Sequence, residues 1–310
     1  MCDAKGKLLI ITGPTAVGKS DLSIKLAKAL DGEIISADSC QVYKGMDIGS
    51  AKIMDSQMHG VKHHLIDVLM PNEEFNVAIF KEMASQCIED IYSRNKLPII
   101  VGGTGFYIQS ILYDINFKGE DDNSVVRQEL CDYYEKHGEE KLFQLLKECD
   151  EESAKIIHPN NVKRVIRAIE YYRIHNQKIS SHNEVEKNKT SQYDSLYIVL
   201  TMSRDILYDR INKRVDIMFE QGLVDEVKTL AKKGYGVLCN SMQAIGYKEV
   251  LSYLNDEISF DECKELIKKN TRHFAKRQLT WFKREKNVRY IDKTQYENED
   301  EIVDEIMRQI

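Results

Sequence analysis

Apolar runs alternate with helical patterns along the first half of the chain. The segment Lys7–Thr12 is almost continuously apolar and stops at a glycine, as a buried central strand does. After it, leucines recur every four residues and give one helix face an apolar stripe: Leu22, Leu26 and Leu30. Further strands are predicted at Glu33–Ser36, Leu97–Val101, Leu196–Thr201 and Val288–Ile291. This alternation is typical of an α/β fold, a parallel sheet flanked by helices.

The pattern changes over residues 117–193, which are charged and helical in period. One helix there has its apolar positions on a single face: Val162, Val165, Ile166 and Ile169. Ile179–Gln192 is polar, so we expect it to be a mobile connection. The simplest architecture is a core formed by residues 1–116 and 194–310, interrupted by a helical insertion.

One motif at the end of the first strand carries chemistry. Its sequence is Gly13-Pro14-Thr15-Ala16-Val17-Gly18-Lys19-Ser20, which matches G-x-x-x-x-G-K-[ST] between a strand and a helix. Such a loop turns its N–H groups around phosphate oxygens, and the helix N-terminus adds partial positive charge. Lys19 supplies a full charge, and the Ser20 hydroxyl is placed to bind Mg²⁺. The motif predicts a bound polyphosphate and leaves its identity open.

Composition limits the other classes of function. Hydrophobic residues make up 42% and charged residues 30% of the chain, as in ordinary globular proteins. The net charge of −6 gives no overall signal for nucleic acid, so such a partner needs a local basic patch. The seven cysteines form no Cys-x-x-Cys pair, and no run of apolar residues is long enough to span a membrane. We expect a cytoplasmic protein with reduced thiols, no membrane association and no obligate protein partner.

Six further sequence blocks follow the phosphate loop and argue against the default interpretation of such a loop, a kinase or NTPase. In order they are Ser36–Tyr43, Ile48–Lys52, His63–Asp67, Val101–Tyr107, Ser241–Tyr247 and Ala275–Phe282. In this order the chain resembles the bacterial tRNA dimethylallyltransferases, from about Leu8 to Arg284. The resemblance implies a P-loop NTPase-like parallel sheet with an inserted helical domain. It also implies transfer of a dimethylallyl group from its diphosphate to the exocyclic amine of the adenosine 3′ to the tRNA anticodon.

The resemblance assigns three residues to the reaction. Asp38 follows a strand that we expect to lie beside the phosphate-loop strand, and it becomes the general base for the amine. A magnesium-binding aspartate is the alternative for this residue. Thr104 is placed near the leaving oxygen, although it could be a plain turn threonine. Arg214 is the diphosphate-contacting arginine, whereas a solvated helix charge is an equal alternative for Arg210.

A basic segment gives the acidic chain a possible RNA surface. Between Lys268 and Arg289, nine basic residues face one acidic residue, Glu285, so the segment carries a net charge of +8. An apolar face predicts one amphipathic helix packed on the core: Ile267, Phe274, Ala275, Leu279 and Phe282. The other face, with Lys276 and Arg277, is expected to bind the phosphate backbone.

The resemblance also places the insertion on the anticodon stem-loop. The residues expected there are Lys163, Arg164 and Arg167, and less directly Arg127. The target base must be unstacked into a pocket, which we expect Asp38, Ser39, Cys40, Gln41 and Thr104 to line. Gln41 offers both a donor and an acceptor to an adenine edge.

Two positions depart from the family's common pattern, and two other functions stay open. Cys40 stands where arginine is usual, which weakens a charged contact there, and Phe106 stands where leucine is usual. A P-loop kinase of a small metabolite would need ATP and no basic helix. An adenylate dimethylallyltransferase would have little use for the insertion. The cofactor that all these predictions share is Mg²⁺.

Overall fold

The computed structural model describes residues 5–117 and 124–310. Within them the chain forms two compact units. The first contains the described residues of Met1–Leu112 together with Gln192–Ile310, and the second is Tyr113–Ser191.

The first unit is built on one sheet of six strands in the order β3-β2-β4-β1-β5-β6. All neighbouring strands run parallel. Their bounds are β1 Lys7–Thr12, β2 Gly32–Ala37, β3 His63–His64, β4 Leu97–Gly102, β5 Asp194–Thr201 and β6 Val288–Asp292. The predicted P-loop NTPase-like α/β class is therefore confirmed. The sequence did not predict β3, because its two histidines have no apolar pattern.

The central strands are apolar because helices cover both faces of the sheet. In β1 every residue after Lys7 is buried, and Leu9 lies in register between Ile99 of β4 and Leu196 of β5. The β2 strand is buried throughout. It pairs with β4 and β3, so it does not lie beside β1 as the sequence suggested. Because all strands are parallel, the loops after β1, β2 and β4 still meet at one edge.

Thirteen α-helices are described. Their bounds are α1 Lys19–Ala29, α2 Asp55–Met58, α3 Val77–Ser93, α4 Gly105–Leu112, α5 Ser124–Cys149, α6 Glu151–Ile156, α7 Val162–His175, α8 Ile179–Lys187, α9 Arg204–Glu220, α10 Leu223–Lys232, α11 Tyr247–Leu254, α12 Phe260–Phe282 and α13 Glu299–Met307. Side-chain caps start several of them, as Asn76 does for α3, Ser259 for α12 and Asn298 for α13. In residues 5–117 and 124–310, no helix is both long and apolar enough to cross a membrane.

The second unit consists of α5 to α8 around its own apolar cluster. The prediction of a mobile connection at Ile179–Gln192 was wrong over α8. The reason is Asp150, a buried carboxylate that accepts hydrogen bonds from both N and Oγ of Ser153 and of Ser180. One aspartate thus caps two helices, and its contact with α8 comes from 30 residues away in sequence. That the stretch 117–193 contacts an anticodon stem-loop stays a prediction.

The described cysteines all carry free thiols: Cys40, Cys87, Cys131, Cys149, Cys239 and Cys263. The thiol predicted at Cys2 lies outside the described residues.

Candidate active site

The loop Gly13–Ser20 joins β1 to α1. Gly18 precedes the helix with φ 87° and ψ 47°, a left-handed conformation that strains any residue with a side chain. The chain thereby turns from the loop into α1 at once, and the helix N-terminus faces the loop. Lys19 Nζ folds back and donates to the carbonyl oxygens of Gly13 at 3.1 Å and Pro14 at 2.9 Å. The motif has the strand–loop–helix geometry of a phosphate cradle.

The charge of Lys19 is poised for an anion. Its pKa is lowered from 10.5 to about 8, because burial disfavours the ammonium and the Arg214 guanidinium repels it, while Asp38 partly offsets both. Phosphate oxygens in the cradle would favour the ammonium and raise this pKa again. An anion bound in the loop would therefore stabilise the charged form of Lys19.

Two cations from outside the motif hold its carbonyl groups. Arg210 donates from Nε to Ala16 O at 2.9 Å. Lys293, which follows β6, donates from Nζ to Gly18 O at 3.2 Å and pairs with Glu299. Because C=O and N–H of one peptide unit point in opposite directions, each contact turns the next N–H away from the cation. Arg210 thus contacts the loop, although its side chain is exposed.

Gln278 connects two loops at the same edge of the sheet. Its Oε1 accepts from Thr15 N at 2.8 Å, and its Nε2 donates to Gly103 O at 3.0 Å. It lies on the buried face of α12 with Ala275 and Phe282. Gln278 belongs to the sequence block Ala275–Phe282, but no role was predicted for it. A polar side chain within an apolar helical stripe was the available signal, because such a group needs buried partners.

Arg214 adds a second positive group beside Lys19. It lies one turn after Arg210 on α9 and lines the same cavity as the loop. Burial and the neighbouring Arg210 lower the pKa of Arg214. The two arginines and Lys19 gather positive charge beside the phosphate loop. Arg214 thus lies beside the phosphate loop, and its contact with a diphosphate stays a prediction.

Asp38 lies immediately after β2 and organises the turn that follows. Its Oδ1 accepts from Cys40 N at 2.8 Å and from Gln41 N at 3.3 Å. Asp38 and Gln41 line the cavity, whereas Ser39 and Cys40 are not among its lining residues. Burial, followed by the nearby Asp38 carboxylate, raises the pKa of the Cys40 thiol to about 12, so it stays protonated. Cys40 therefore offers no charge in place of the family's arginine.

Thr104 lies at the rim of the site. Its N–H donates to Ala37 O at 3.3 Å, and its carbonyl accepts from Tyr107 N at the start of α4. The preceding Gly102 and Gly103 line the cavity, but Thr104 itself does not. Its predicted place beside the leaving oxygen stays a prediction.

One cavity of about 910 Å³ joins these loops within the first unit. The phosphate loop, Arg210 and Arg214 supply positive groups to its lining. Apolar side chains form much of the remaining wall: Ile48, Ile53, Met54, Ile66, Ile217, Met218 and Phe274. The same space can therefore receive an anionic group and a small hydrocarbon group.

Few protein groups are available to hold a metal ion here. In the part of the chain that the structure describes, no three His, Cys, Asp or Glu side chains gather into a metal site. Ser20 and Asp38 line the same cavity and offer oxygen ligands. Mg²⁺ keeps several waters and commonly takes few protein ligands plus substrate phosphates. These residues fit such an ion, with the substrate completing its ligands.

The basic segment is not one helix. The α12 helix ends at Phe282, and Arg289 lies in β6. Phe274, predicted to pack on the core, is 36% exposed and lines the cavity. Lys276 and Arg277 are exposed on α12, with the Arg277 guanidinium 5.8 Å from the centre of the Phe274 ring.

Four predicted RNA contacts lie on the second unit. Lys163 and Arg164 are exposed at the start of α7. Arg127 makes two hydrogen bonds to the buried Glu170, at 3.0 and 3.1 Å, and Arg167 approaches the same carboxylate at 3.3 Å. Glu170 therefore holds two of these arginines together.

Comparisons with known proteins match nearly the whole chain. The model of the IPP transferase family matches residues 41–285. The chain is 52% identical over 301 residues to the tRNA dimethylallyltransferase of Lachnoclostridium phytofermentans, with 97% of this chain and 96% of that protein covered.

Solved structures give the same result. A tRNA Δ(2)-isopentenylpyrophosphate transferase from Staphylococcus epidermidis has a TM-score of 0.73 and 48% identity, covering 98% of this chain and 99% of that one. A eukaryotic dimethylallyltransferase acting on tRNA has a TM-score of 0.76 and 31% identity, covering 93% of this chain and 74% of that one.

Proposed function

The chain belongs to the IPP transferase family, and we propose that it transfers a dimethylallyl group from dimethylallyl diphosphate to tRNA. The acceptor is the exocyclic amine of the adenosine 3′ to the anticodon, and diphosphate is released. The protein is an enzyme, a prenyl transferase that modifies tRNA, and we place its work in the cytoplasm.

One observation carries the proposal. A single cavity contains a phosphate cradle, a carboxylate at Asp38 and an apolar wall. An allylic diphosphate needs the cradle for its phosphates and the wall for its five carbons. The amine that it alkylates needs a proton acceptor close by. A kinase needs the cradle but has no use for an apolar wall of this extent.

The cradle's role is to hold diphosphate and stabilise it as it leaves. The loop N–H groups, Lys19 and Arg214 contact the phosphate oxygens, where negative charge grows as the C–O bond breaks. Thr104 lies near the leaving oxygen. Ser20 would hold Mg²⁺, which supplies further positive charge to the diphosphate when it is bound.

The acceptor amine needs a proton acceptor, and Asp38 lines the same cavity as the cradle. The lone pair of the adenine amine forms a bond to the first carbon of the dimethylallyl group, and the bond from that carbon to the diphosphate oxygen breaks. The amine then loses a proton, which passes to the Asp38 carboxylate. Gln41 lines the cavity and faces the unstacked base, while Ser39 and Cys40 complete the turn between Asp38 and Gln41.

RNA is held by exposed cations. Lys276 and Arg277 on α12 contact phosphates of the substrate, and Lys163 and Arg164 on the second unit contact the anticodon stem-loop. Arg127 and Arg167 extend that surface from the Glu170 carboxylate. No comparison supports the kinase or the adenylate dimethylallyltransferase.

The test combines purified protein, Mg²⁺, dimethylallyl diphosphate and unmodified anticodon stem-loop RNA, and measures the RNA mass. We expect a gain of one dimethylallyl group on the adenosine 3′ to the anticodon, and no gain when that adenosine is replaced by guanosine. Parallel reactions contain ATP alone or free AMP. Prenylated AMP or hydrolysed ATP with unmodified RNA would overturn the proposal.

A further inference from the structure

The loop Asp47–Lys52 forms part of the cavity wall, yet it belongs to no helix or strand. Its backbone must be fixed by groups outside it, because a loop without such partners would not keep one shape. The sequence blocks Ile48–Lys52 and Ser241–Tyr247 both meet here, and the proposed reaction gives the second block no role.

Glu226 of α10 binds three successive N–H groups of this loop. Its Oε2 accepts from Asp47 N at 3.0 Å and from Ile48 N at 2.7 Å, and its Oε1 accepts from Gly49 N at 3.2 Å. Successive N–H groups that converge on one anion form a compact nest. The carboxylate therefore fixes the first half of the loop.

Tyr247 holds Glu226 in turn. Its hydroxyl donates to Glu226 Oε1 at 2.7 Å, and its side chain is fully buried. Burial and the neighbouring Glu226 carboxylate raise the pKa of Tyr247, so the hydroxyl keeps its proton and stays a donor. The ring lies directly under Gly49, where a Cβ atom would come within 2.5 Å of it. Glycine is required at this close approach.

The other end of the loop is fixed by a buried ammonium. Lys52, with a side chain only 1% exposed, donates to Tyr43 O at 2.7 Å and pairs with Asp47 and Asp67. Between the two anchors, Ala51 O accepts from Gln41 Nε2 at 3.4 Å. The orientation of the Gln41 amide thus depends on where this loop lies.

We propose that Glu226, held by the Tyr247 hydroxyl, is a positioning residue for the acceptor adenine. It sets the loop Asp47–Lys52, which sets the Gln41 amide through Ala51 O. This inference rests on the proposed function, because it needs Gln41 to face the target base. Glu226 lines the cavity, but its carboxylate is bound by the loop N–H groups and by Tyr247, so we expect its loss to change the geometry of the acceptor side and leave the cradle intact.

The test is Glu226→Gln, which keeps the size of the side chain but turns one acceptor into an NH₂ group facing loop N–H groups. We expect KM for the anticodon stem-loop RNA to rise about tenfold or more, because small displacements of a positioning group are costly. KM for dimethylallyl diphosphate should stay within about twofold, since no cradle group changes.

Two further variants separate positioning from general damage. Tyr247→Phe removes only the hydroxyl and keeps the ring under Gly49, so we expect the same change at about a third of its size. Asp225→Asn removes a carboxylate from the same turn of α10, where Asp225 is exposed, and should change neither KM.

The outcomes are distinct. A wild-type protein that does not prenylate the RNA would overturn the proposed function and this inference with it. An active wild-type with an unchanged RNA KM in Glu226→Gln, or with both KM values raised equally, would overturn the positioning role alone. If Glu226→Gln does not fold, Tyr247→Phe decides by the same ratio of KM values.

Discussion

Two sets of loops that line the cavity use the peptide backbone in opposite ways. At the phosphate loop, cations bind the carbonyl groups: Lys19 takes Gly13 O and Pro14 O, Arg210 takes Ala16 O and Lys293 takes Gly18 O. At the other loops, carboxylates bind the N–H groups. Asp38 takes those of Cys40 and Gln41, and Glu226 takes those of Asp47, Ile48 and Gly49.

Because of this difference, one set of loops offers hydrogen-bond donors to a ligand and the other set offers acceptors. At the phosphate loop the carbonyl groups are hydrogen-bonded to cations, so the N–H groups of the same loop are free to point at an anion. A departing diphosphate requires such N–H groups. At the other loops the N–H groups are hydrogen-bonded to carboxylates, so carboxylate and carbonyl oxygens are the groups that can face the ligand. Such oxygens suit a group that donates hydrogen bonds, as an adenine amine does. One fold therefore prepares an anion site and a proton-accepting site within a single space.

The largest effect is expected from removing the positive charge of Lys19 from the cradle. Truncating one partner of a buried charge pair costs about 3–5 kcal/mol, so Lys19→Met should weaken diphosphate binding by roughly two to four orders of magnitude. RNA binding should change by less than about twofold, because the proposed RNA contacts are other residues. Isothermal titration with each ligand measures both. Equal losses of affinity for diphosphate and for RNA would show that the two ligands do not use separate groups of residues.

Asp38 tests the proton-accepting group. Asp38→Asn keeps an oxygen for the N–H groups of Cys40 and Gln41 but cannot take the proton. A general base contributes about a hundredfold to ten-thousandfold, so single-turnover transfer should slow by at least about a hundredfold. Binding of RNA and of diphosphate should be nearly normal. A wild-type rate would remove Asp38 as the base.

Arg210 tests whether the outer contacts of the loop matter. Arg210→Gln loses the charge that holds Ala16 O, and because Arg210 is exposed we expect only about a fivefold weaker diphosphate affinity. The matched control is Lys25→Gln on α1, which loses an exposed pair with Asp300 and touches no loop carbonyl. Equal effects of both variants would reduce Arg210 to a general charge effect.

The smallest effect concerns pH. The pKa of Lys19 lies at about 8 in the free protein, so its ammonium is lost as the pH rises through that value. Diphosphate binding needs the ammonium, and affinity should fall about fourfold between about pH 7 and 8.5. Lys19→Met removes the titrating group and should lose this part of the pH dependence. An identical profile in both proteins would assign the titration to another group.

The sequence predicted the phosphate loop and the strands because their signals are local. The loop Gly13–Ser20 is a fixed spacing, and β1 and β4 are short apolar runs bounded by glycine. Helix α8 was missed for the opposite reason. Its start depends on Asp150, and nothing within Ile179–Gln192 itself announces that cap.

The acceptor side could be predicted only in part. Asp38 and Gln41 lie in one quoted block, so the resemblance placed them together. Glu226 stands beside Asp225 in the first turn of α10, where any carboxylate favours a helix N-terminus. Only the folded chain shows that one of them reaches the loop Asp47–Lys52, 177 to 179 residues away.

Two groups of residues line the cavity, the cations Lys19, Arg210 and Arg214 and the carboxylates Asp38 and Glu226, and we expect them to bind different ligands. The measurement that tests this central claim most directly is a titration of Lys19→Met and Glu226→Gln, each with inorganic diphosphate and with anticodon stem-loop RNA. We predict that Lys19→Met loses diphosphate and keeps RNA, while Glu226→Gln keeps diphosphate and binds RNA about tenfold more weakly. If both variants lose both ligands to the same extent, the cavity is one undivided site and the account is wrong.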